Sequence, residues 1–156
     1  MRRICALLLA AALCGCGKPA YEHLADARRE LAEAAYPEAI AAADAGLRET
    51  PGAETLWGLE LVKLEAHARA GHGEEAKGQL ARLADLHPDR VPATQYSATA
   101  YQLQSAGQRT AAIEVLDMGH QRYPGNLAIE RLIGASESGD VEPAELEMLK
   151  TLGYIE

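Results

Sequence analysis

Histidines and paired acidic residues are the side chains of this sequence whose types could support metal or acid–base chemistry. His67 and His72 are five residues apart. That spacing does not place two ligands on one helical face, where a spacing of three or four would. With no carboxylate or cysteine at metal-ligand spacing, we interpret both as surface or loop histidines. Glu74 and Glu75 fall at a predicted helix start, where acidic residues complement the helix dipole.

The sequence lacks the motifs that usually carry catalysis. It contains no phosphate-binding Gly-x4-Gly-Lys-Ser/Thr loop, no Gly-x-Ser-x-Gly elbow and no His-Glu-x-x-His pair. We therefore predict that the protein is not an enzyme, binds no metal and needs no cofactor.

The charge balance is acidic, with a formal net charge of −8 over 156 residues. A solvated acidic surface is the simplest interpretation, and attraction to a basic partner is the alternative. Because no basic patch is available to neutralise phosphates, nucleic acid is excluded as a predicted partner.

The N-terminus has the pattern of an export signal. Arg2 and Arg3 precede an apolar run over residues 4–13, which is too short to span a bilayer but long enough for a signal-peptide core. Cys14 and Cys16 follow this run, and the only other cysteine is Cys5. The run could belong to an ordinary secretory signal or to a buried N-terminal helix. Cys14 and Cys16 could also form a Cys-x-Cys metal or redox pair.

The stretch Leu13-Cys14-Gly15-Cys16 resembles the lipobox of bacterial lipoproteins, with Cys14 as a departure from its usual composition. The resemblance implies that residues 1–15 are a removed signal peptide and that Cys16 carries a diacylglycerol with palmitate-like acyl chains. Each buried methylene adds about 0.8 kcal/mol of membrane affinity, so several chains form a lasting anchor. Residues 16–19 would be the lipidated N-terminus and a short linker. The expected location is the bacterial cell membrane, on the periplasmic side of the outer membrane if the source has two membranes.

Internal repetition dominates the rest of the chain. Three segments each have an alanine followed twelve residues later by a proline: Ala39 with Pro51, Ala76 with Pro88, and Ala112 with Pro124. Successive alanines are 37 and then 36 residues apart, and five residues before them stand Ala34, Gly71 and Gly107. The glycines can adopt the left-handed conformation that ends a helix, and the prolines stop the second helix of each segment.

This pattern resembles the tetratricopeptide repeat (TPR), a helix–turn–helix unit with a period near 34 residues. The resemblance implies an all-α fold, a solenoid of about three helical hairpins over residues 20–138. Residues 139–156 would add a C-terminal capping helix. The predicted helices span residues 20–34, 36–49, 54–70, 73–87, 93–106, 108–122, 127–137 and 143–152.

The resemblance also implies a concave groove lined by the first helix of each unit. Register within the repeat assigns six residues to it: Arg28, Glu65, Arg69, Tyr101, Gln104 and Ser105. Tyr101 is the predicted anchor, since an exposed tyrosine gives a large contact area at low entropic cost. Merely solvated helix positions are the alternative interpretation.

The predicted function is a membrane-anchored scaffold that binds an envelope protein or peptide segment. A first alternative is a catalytic or non-catalytic subunit of an envelope glycan or sulfate-processing system. It is suggested by the two histidines and by the tail Leu149–Tyr154, which resembles tails of some sulfatase-like and repeat-containing proteins. A second alternative is a structural lipoprotein that self-associates.

Overall fold

Helices form all the regular secondary structure of residues 17–126, 129–130 and 133–134, the part of the chain that the computed structural model describes. The all-α prediction is confirmed for these residues. The helices are α1 (Ala20–Ala32), α2 (Tyr36–Arg48), α3 (Ala53–Arg69), α4 (Gly73–Leu86), α5 (Ala93–Ser105) and α6 (Arg109–Arg122).

The predicted boundaries of these six helices agree with the structure to within two residues. A short 3-10 helix over Pro88–Arg90 was not predicted. Positions 129–130 and 133–134 of the predicted helix over 127–137 are helical. The predicted signal peptide and lipidation site Cys16, the predicted helix over 143–152 and the remaining positions of 127–137 lie outside the described residues.

The turns inside the three hairpins share one backbone motif. The residue in the left-handed conformation is Ala34, Gly71 or Gly107, with φ of 59°, 76° and 78°. The next amide donates a hydrogen bond to the carbonyl five residues earlier, at 2.9, 2.9 and 2.8 Å respectively. This is the Schellman arrangement that satisfies the last carbonyls of a helix. The predicted role of the two glycines is confirmed, and Ala34 adopts the same conformation without being a glycine.

The second helix of each hairpin ends just before a proline, as predicted. The last residues of α2, α4 and α6 are Arg48, Leu86 and Arg122, which precede the prolines at 51, 88 and 124 by two or three positions. Proline disfavours a helical residue before it and lacks the amide hydrogen that would continue the helix.

Helices also contact one another across the hairpins. Besides the contacts within each hairpin, α3 contacts both α1 and α5, and α4 contacts α6. Helix α3 buries apolar residues on two sides. Leu59 and Val62 belong to a cluster shared with α1 and α2, whereas Leu64 and Ala68 belong to a larger cluster shared with α4, α5 and α6. Neither neighbouring hairpin therefore covers all the apolar surface of α3.

Small residues let the helices approach closely. Ala39, Ala76 and Ala112, the alanines that define the repeat, are all buried. A Cβ atom added at Gly119 would lie 2.9 Å from both the Cβ of Tyr96 and the Cδ1 of Ile129. Close backbone approach thus depends on residues without long side chains at these positions.

Candidate functional site

A surface cavity of about 450 Å³ lies where α3 and α5 meet the start of α2. It is lined by Tyr36, Arg69, Ala98, Tyr101, Gln102, Ser105 and Ala106. Its volume falls within the range of small-ligand and side-chain pockets. The cavity combines two tyrosine side chains with one guanidinium, one amide and one serine hydroxyl group, so it can offer apolar contact together with hydrogen bonds.

Three of the six residues predicted for the groove meet in this cavity, namely Arg69, Tyr101 and Ser105. Tyr101 and Ser105 are four residues apart on α5, and Arg69 lies in the last turn of the neighbouring α3. Because α3 contacts α5, residues separated by more than 30 positions in the sequence line one concave surface.

Tyr101 is the most prominent side chain of the cavity. It is 65% exposed, which is uncommon for a large aromatic residue. Tyr36, at the first position of α2, is half-buried and packs against the cluster of the first hairpin. The two rings therefore differ in role, because Tyr36 is held in place by the fold whereas Tyr101 offers its surface to solvent.

Arg69 is the one charged residue that lines the cavity, and it is held by an ion pair. Its guanidinium lies 2.6 Å from a carboxylate oxygen of Glu65, one helical turn earlier. Glu65 was predicted as a groove residue and contributes here by orienting Arg69. An exposed pair of this kind is worth less than about 1 kcal/mol, so a ligand could displace it cheaply.

The remaining predicted groove residues lie outside this cavity. Arg28 is exposed on α1, and a Cβ atom added at Gly58 would lie 3.4 Å from its guanidinium. Gln104 is exposed on α5 but does not line the cavity. Four lining residues were not predicted: Tyr36, Ala98, Gln102 and Ala106. Ala98 lies three residues before Tyr101 and Gln102 three before Ser105, so helical spacing alone could have included both.

The two histidines at the second hairpin turn lie in contact with each other. The Nδ1 atoms of His67 and His72 are 3.2 Å apart, and the ring centroids are 5.5 Å apart. The two residues do not share a helical face, as expected from their spacing, but helical spacing does not describe their contact because His72 lies beyond the end of the helix. Helix α3 ends at Arg69, and the left-handed Gly71 turns the chain back so that His72 returns over His67.

Burial lowers the pKa of His67, and the neighbouring His72 and Lys63 act in the same direction. The carboxylates of Glu75 and Asp44 oppose this shift. The lowered pKa favours the neutral imidazole, whose unprotonated nitrogen can accept a hydrogen bond or coordinate an ion. Among the described residues, no group of three or more histidine, cysteine or acidic side chains could hold a metal ion.

A buried polar cluster joins α3 to α4. The carboxylate of Glu60, only 7% exposed, accepts hydrogen bonds from Gln79 and Arg82. Burial alone would raise the pKa of Glu60. The hydrogen bonds from Arg82 and Gln79, together with the positive charges of Arg82 and Lys63, lower it below its ordinary value. Both hydrogen bonds to this carboxylate come from side chains of α4, so we assign the cluster to structure.

None of the helices in the described ranges has the length and apolar character that crossing a bilayer requires. No known protein-family model, no curated protein and no solved structure matches this chain.

Proposed function

We propose that this chain is a membrane-anchored TPR-like lipoprotein that binds a segment of an envelope protein and does not act as an enzyme. The observation that carries the proposal is the cavity around Tyr101, to which successive hairpins contribute side chains. It would receive a side chain of the bound segment.

The repeat interpretation is supported by the recurrence of one backbone motif. The three hairpin turns share the left-handed residue and its hydrogen bond, at positions 37 and 36 residues apart. Contacts between first helices of successive hairpins, and the two-sided burial of α3, are those expected when units stack side by side. Such a stack needs several units, because one hairpin alone leaves an apolar face uncovered.

The binding interpretation is supported by the composition of the cavity. An apolar or aromatic side chain would contact Tyr101 and Tyr36. Arg69, Gln102 and Ser105 would supply hydrogen bonds to the polypeptide backbone or to a polar group. Exposed tyrosine and arginine are the residue types that dominate protein interfaces.

The anchor proposal is supported by position. Helix α1 begins at Ala20, four residues after Cys16, so a lipid on that cysteine would hold the helices beside the membrane surface. A scaffold in that position would recruit its partner to the membrane. Mass analysis of the mature N-terminus tests this part, since it is expected to begin at a diacylated Cys16. An unmodified or differently cleaved terminus would exclude the anchor.

The binding proposal is tested by photo-crosslinking in the native envelope, with the crosslinker placed at position 101 or at position 21. Tyr21 is a matched control because it is 64% exposed but lies on α1, away from the cavity. We expect a discrete adduct from position 101 only.

Arg69→Ala and Tyr101→Ala should abolish capture of the same partner. Tyr21→Ala and Arg29→Ala should retain it, because Arg29 is likewise exposed and ion-paired but is not part of the cavity. Equal capture by all four variants would exclude the cavity as the binding surface.

A further inference from the structure

The backbone of the turn between α3 and α4 brings two imidazole rings together, with their planes tilted by 52°. In the Schellman motif the residue after the left-handed position lies over the residue five positions earlier, and these two side chains often touch. Here those positions are His72 and His67, and the amide of His72 donates a 2.9 Å hydrogen bond to the carbonyl of His67. The equivalent pairs in the other two hairpins are Glu30 with Ala35 and Leu103 with Gln108.

The separation of the two Nδ1 atoms matches the bite of a metal chelate. Zinc–nitrogen bonds of about 2.0–2.1 Å place two ligand nitrogens about 3.3 Å apart at the tetrahedral angle, and about 2.9 Å apart at a right angle. The observed distance is 3.2 Å, at which one Nδ1 hydrogen-bonds the other, so a metal ion would take the place of the proton between them. We propose that His67 and His72 chelate one first-row divalent metal ion, Zn²⁺ or Cu²⁺, through their Nδ1 atoms.

The preference for these ions follows from ligand chemistry. Imidazole nitrogen binds Cu²⁺ and Zn²⁺ in preference to Mg²⁺ and Ca²⁺, which take oxygen ligands. His72 is exposed and His67 is half-buried, so an ion can reach the pair from solvent while one ring is held by the fold.

Charged side chains of both signs surround the histidine pair. Glu75 on α4 and Asp44 on α2 supply negative potential at His67, and Lys63 on α3 supplies positive potential. Lys63 forms a 2.7 Å ion pair with Asp44, which reduces its repulsion of a cation. No third ligand completes the site among the described residues. Water would fill the coordination positions that the two imidazoles leave open.

This site uses residues other than those lining the cavity around Tyr101, so it stands independently of the proposed partner binding. Metal binding would clamp the turn, because it links the end of α3 to the residue that precedes α4. Binding to the folded state alone stabilises that state by mass action.

The test uses the full chain and its single-histidine variants, titrated with Zn²⁺ by calorimetry at pH 7.5. We expect His67→Ala and His72→Ala each to weaken the binding event at least about tenfold. His87→Ala is the matched control, since His87 also lies at a helix end but contacts Trp57. Circular dichroism verifies that each variant is folded, and His72, being exposed, can be replaced without disturbing the core.

Electron paramagnetic resonance of the Cu²⁺-loaded chain provides a readout that a structural role would not change. Two equatorial nitrogens are expected in the wild-type spectrum and one in each single-histidine variant. Identical Zn²⁺ isotherms for wild type and His72→Ala, or a copper spectrum unaffected by that substitution, would overturn the proposal.

Discussion

Ala34 adopts the left-handed backbone conformation that Gly71 adopts 37 residues later, with φ of 59° against 76°. A side chain in this conformation brings its Cβ atom too close to a backbone carbonyl, at a cost of about 1–2 kcal/mol. The first hairpin therefore holds a strained residue at a place where the second and third hairpins have glycine.

Ala34→Gly should stabilise the protein by about 0.5–1 kcal/mol, because relief of strain exceeds the added entropy of the unfolded chain. Chemical denaturation followed by circular dichroism measures the change. Ala25→Gly is the matched control, since Ala25 is exposed in the interior of α1 and the same substitution there should destabilise by about 0.5–1 kcal/mol. Loss of stability in both variants would show that Ala34 is not strained.

Gly78→Ala and Gly107→Ala should change stability in opposite directions. A Cβ atom added at either position meets nothing within 4 Å, so packing does not distinguish them. Gly78 lies within α4, where alanine is favoured by about 0.5–1 kcal/mol, whereas Gly107 has φ of 78° and alanine there should cost about 1 kcal/mol. Thermal melts of the two variants give the sign of each change in melting temperature directly. Two changes of the same sign would contradict either the helical backbone at Gly78 or the left-handed backbone at Gly107.

Gly119→Ala should destabilise by about 1–3 kcal/mol through overpacking. The added methyl group would lie 2.9 Å from the Cβ of buried Tyr96 and from the Cδ1 of Ile129, and neither atom is the free end of a flexible exposed chain. Gly78→Ala is the control, because it adds the same methyl group to a helix with open space around it. A neutral Gly119→Ala would mean that α5 and α6 can separate without loss.

Sequence patterns predicted the helices of the described residues because the signals that end a helix are local. Pro88 and Gly107 determine where a helix ends through their own backbone chemistry, whatever surrounds them. The left-handed Ala34 escaped prediction since alanine carries no such signal, and only its place in the repeat marks it.

The site could be predicted only in part, because it depends on contacts between helices. Register identified Arg69, Tyr101 and Ser105, which share a face of successive first helices. Tyr36 lies on α2, the second helix of its hairpin, and reaches the cavity through tertiary packing. The register of the first helices alone cannot predict such a contact. The proximity of His67 and His72 was missed for a different reason, since spacing rules for a helix do not apply across its end.

Tyr101→Ala should leave the free energy of unfolding within about 0.5 kcal/mol of the wild-type value, because the ring is already 65% exposed. Tyr96→Ala, five residues earlier on α5, should cost about 3–5 kcal/mol, since that side chain is only 2% exposed. Denaturant titration of the pair measures both. A large loss in Tyr101→Ala would show that this ring supports the fold, and its use as a binding probe would then fail.

Acidification should remove stability through Glu60, which lies between Gln79 and Arg82. The pKa of Glu60 is below its ordinary value of 4.5 in the folded state, so the unfolded chain takes up the proton more readily. The stabilisation is fully present above pH 4.5 and is lost as the pH falls from there through the lowered folded pKa.

Glu60→Gln should therefore flatten the acid side of the stability profile, measured by denaturant unfolding at successive pH values. Arg82→Ala should flatten it as well and should also lower stability at pH 7, because it leaves a buried carboxylate without its cation. An unchanged acid slope in both variants would mean that other carboxylates govern acid unfolding and that the contacts of Glu60 contribute nothing to it.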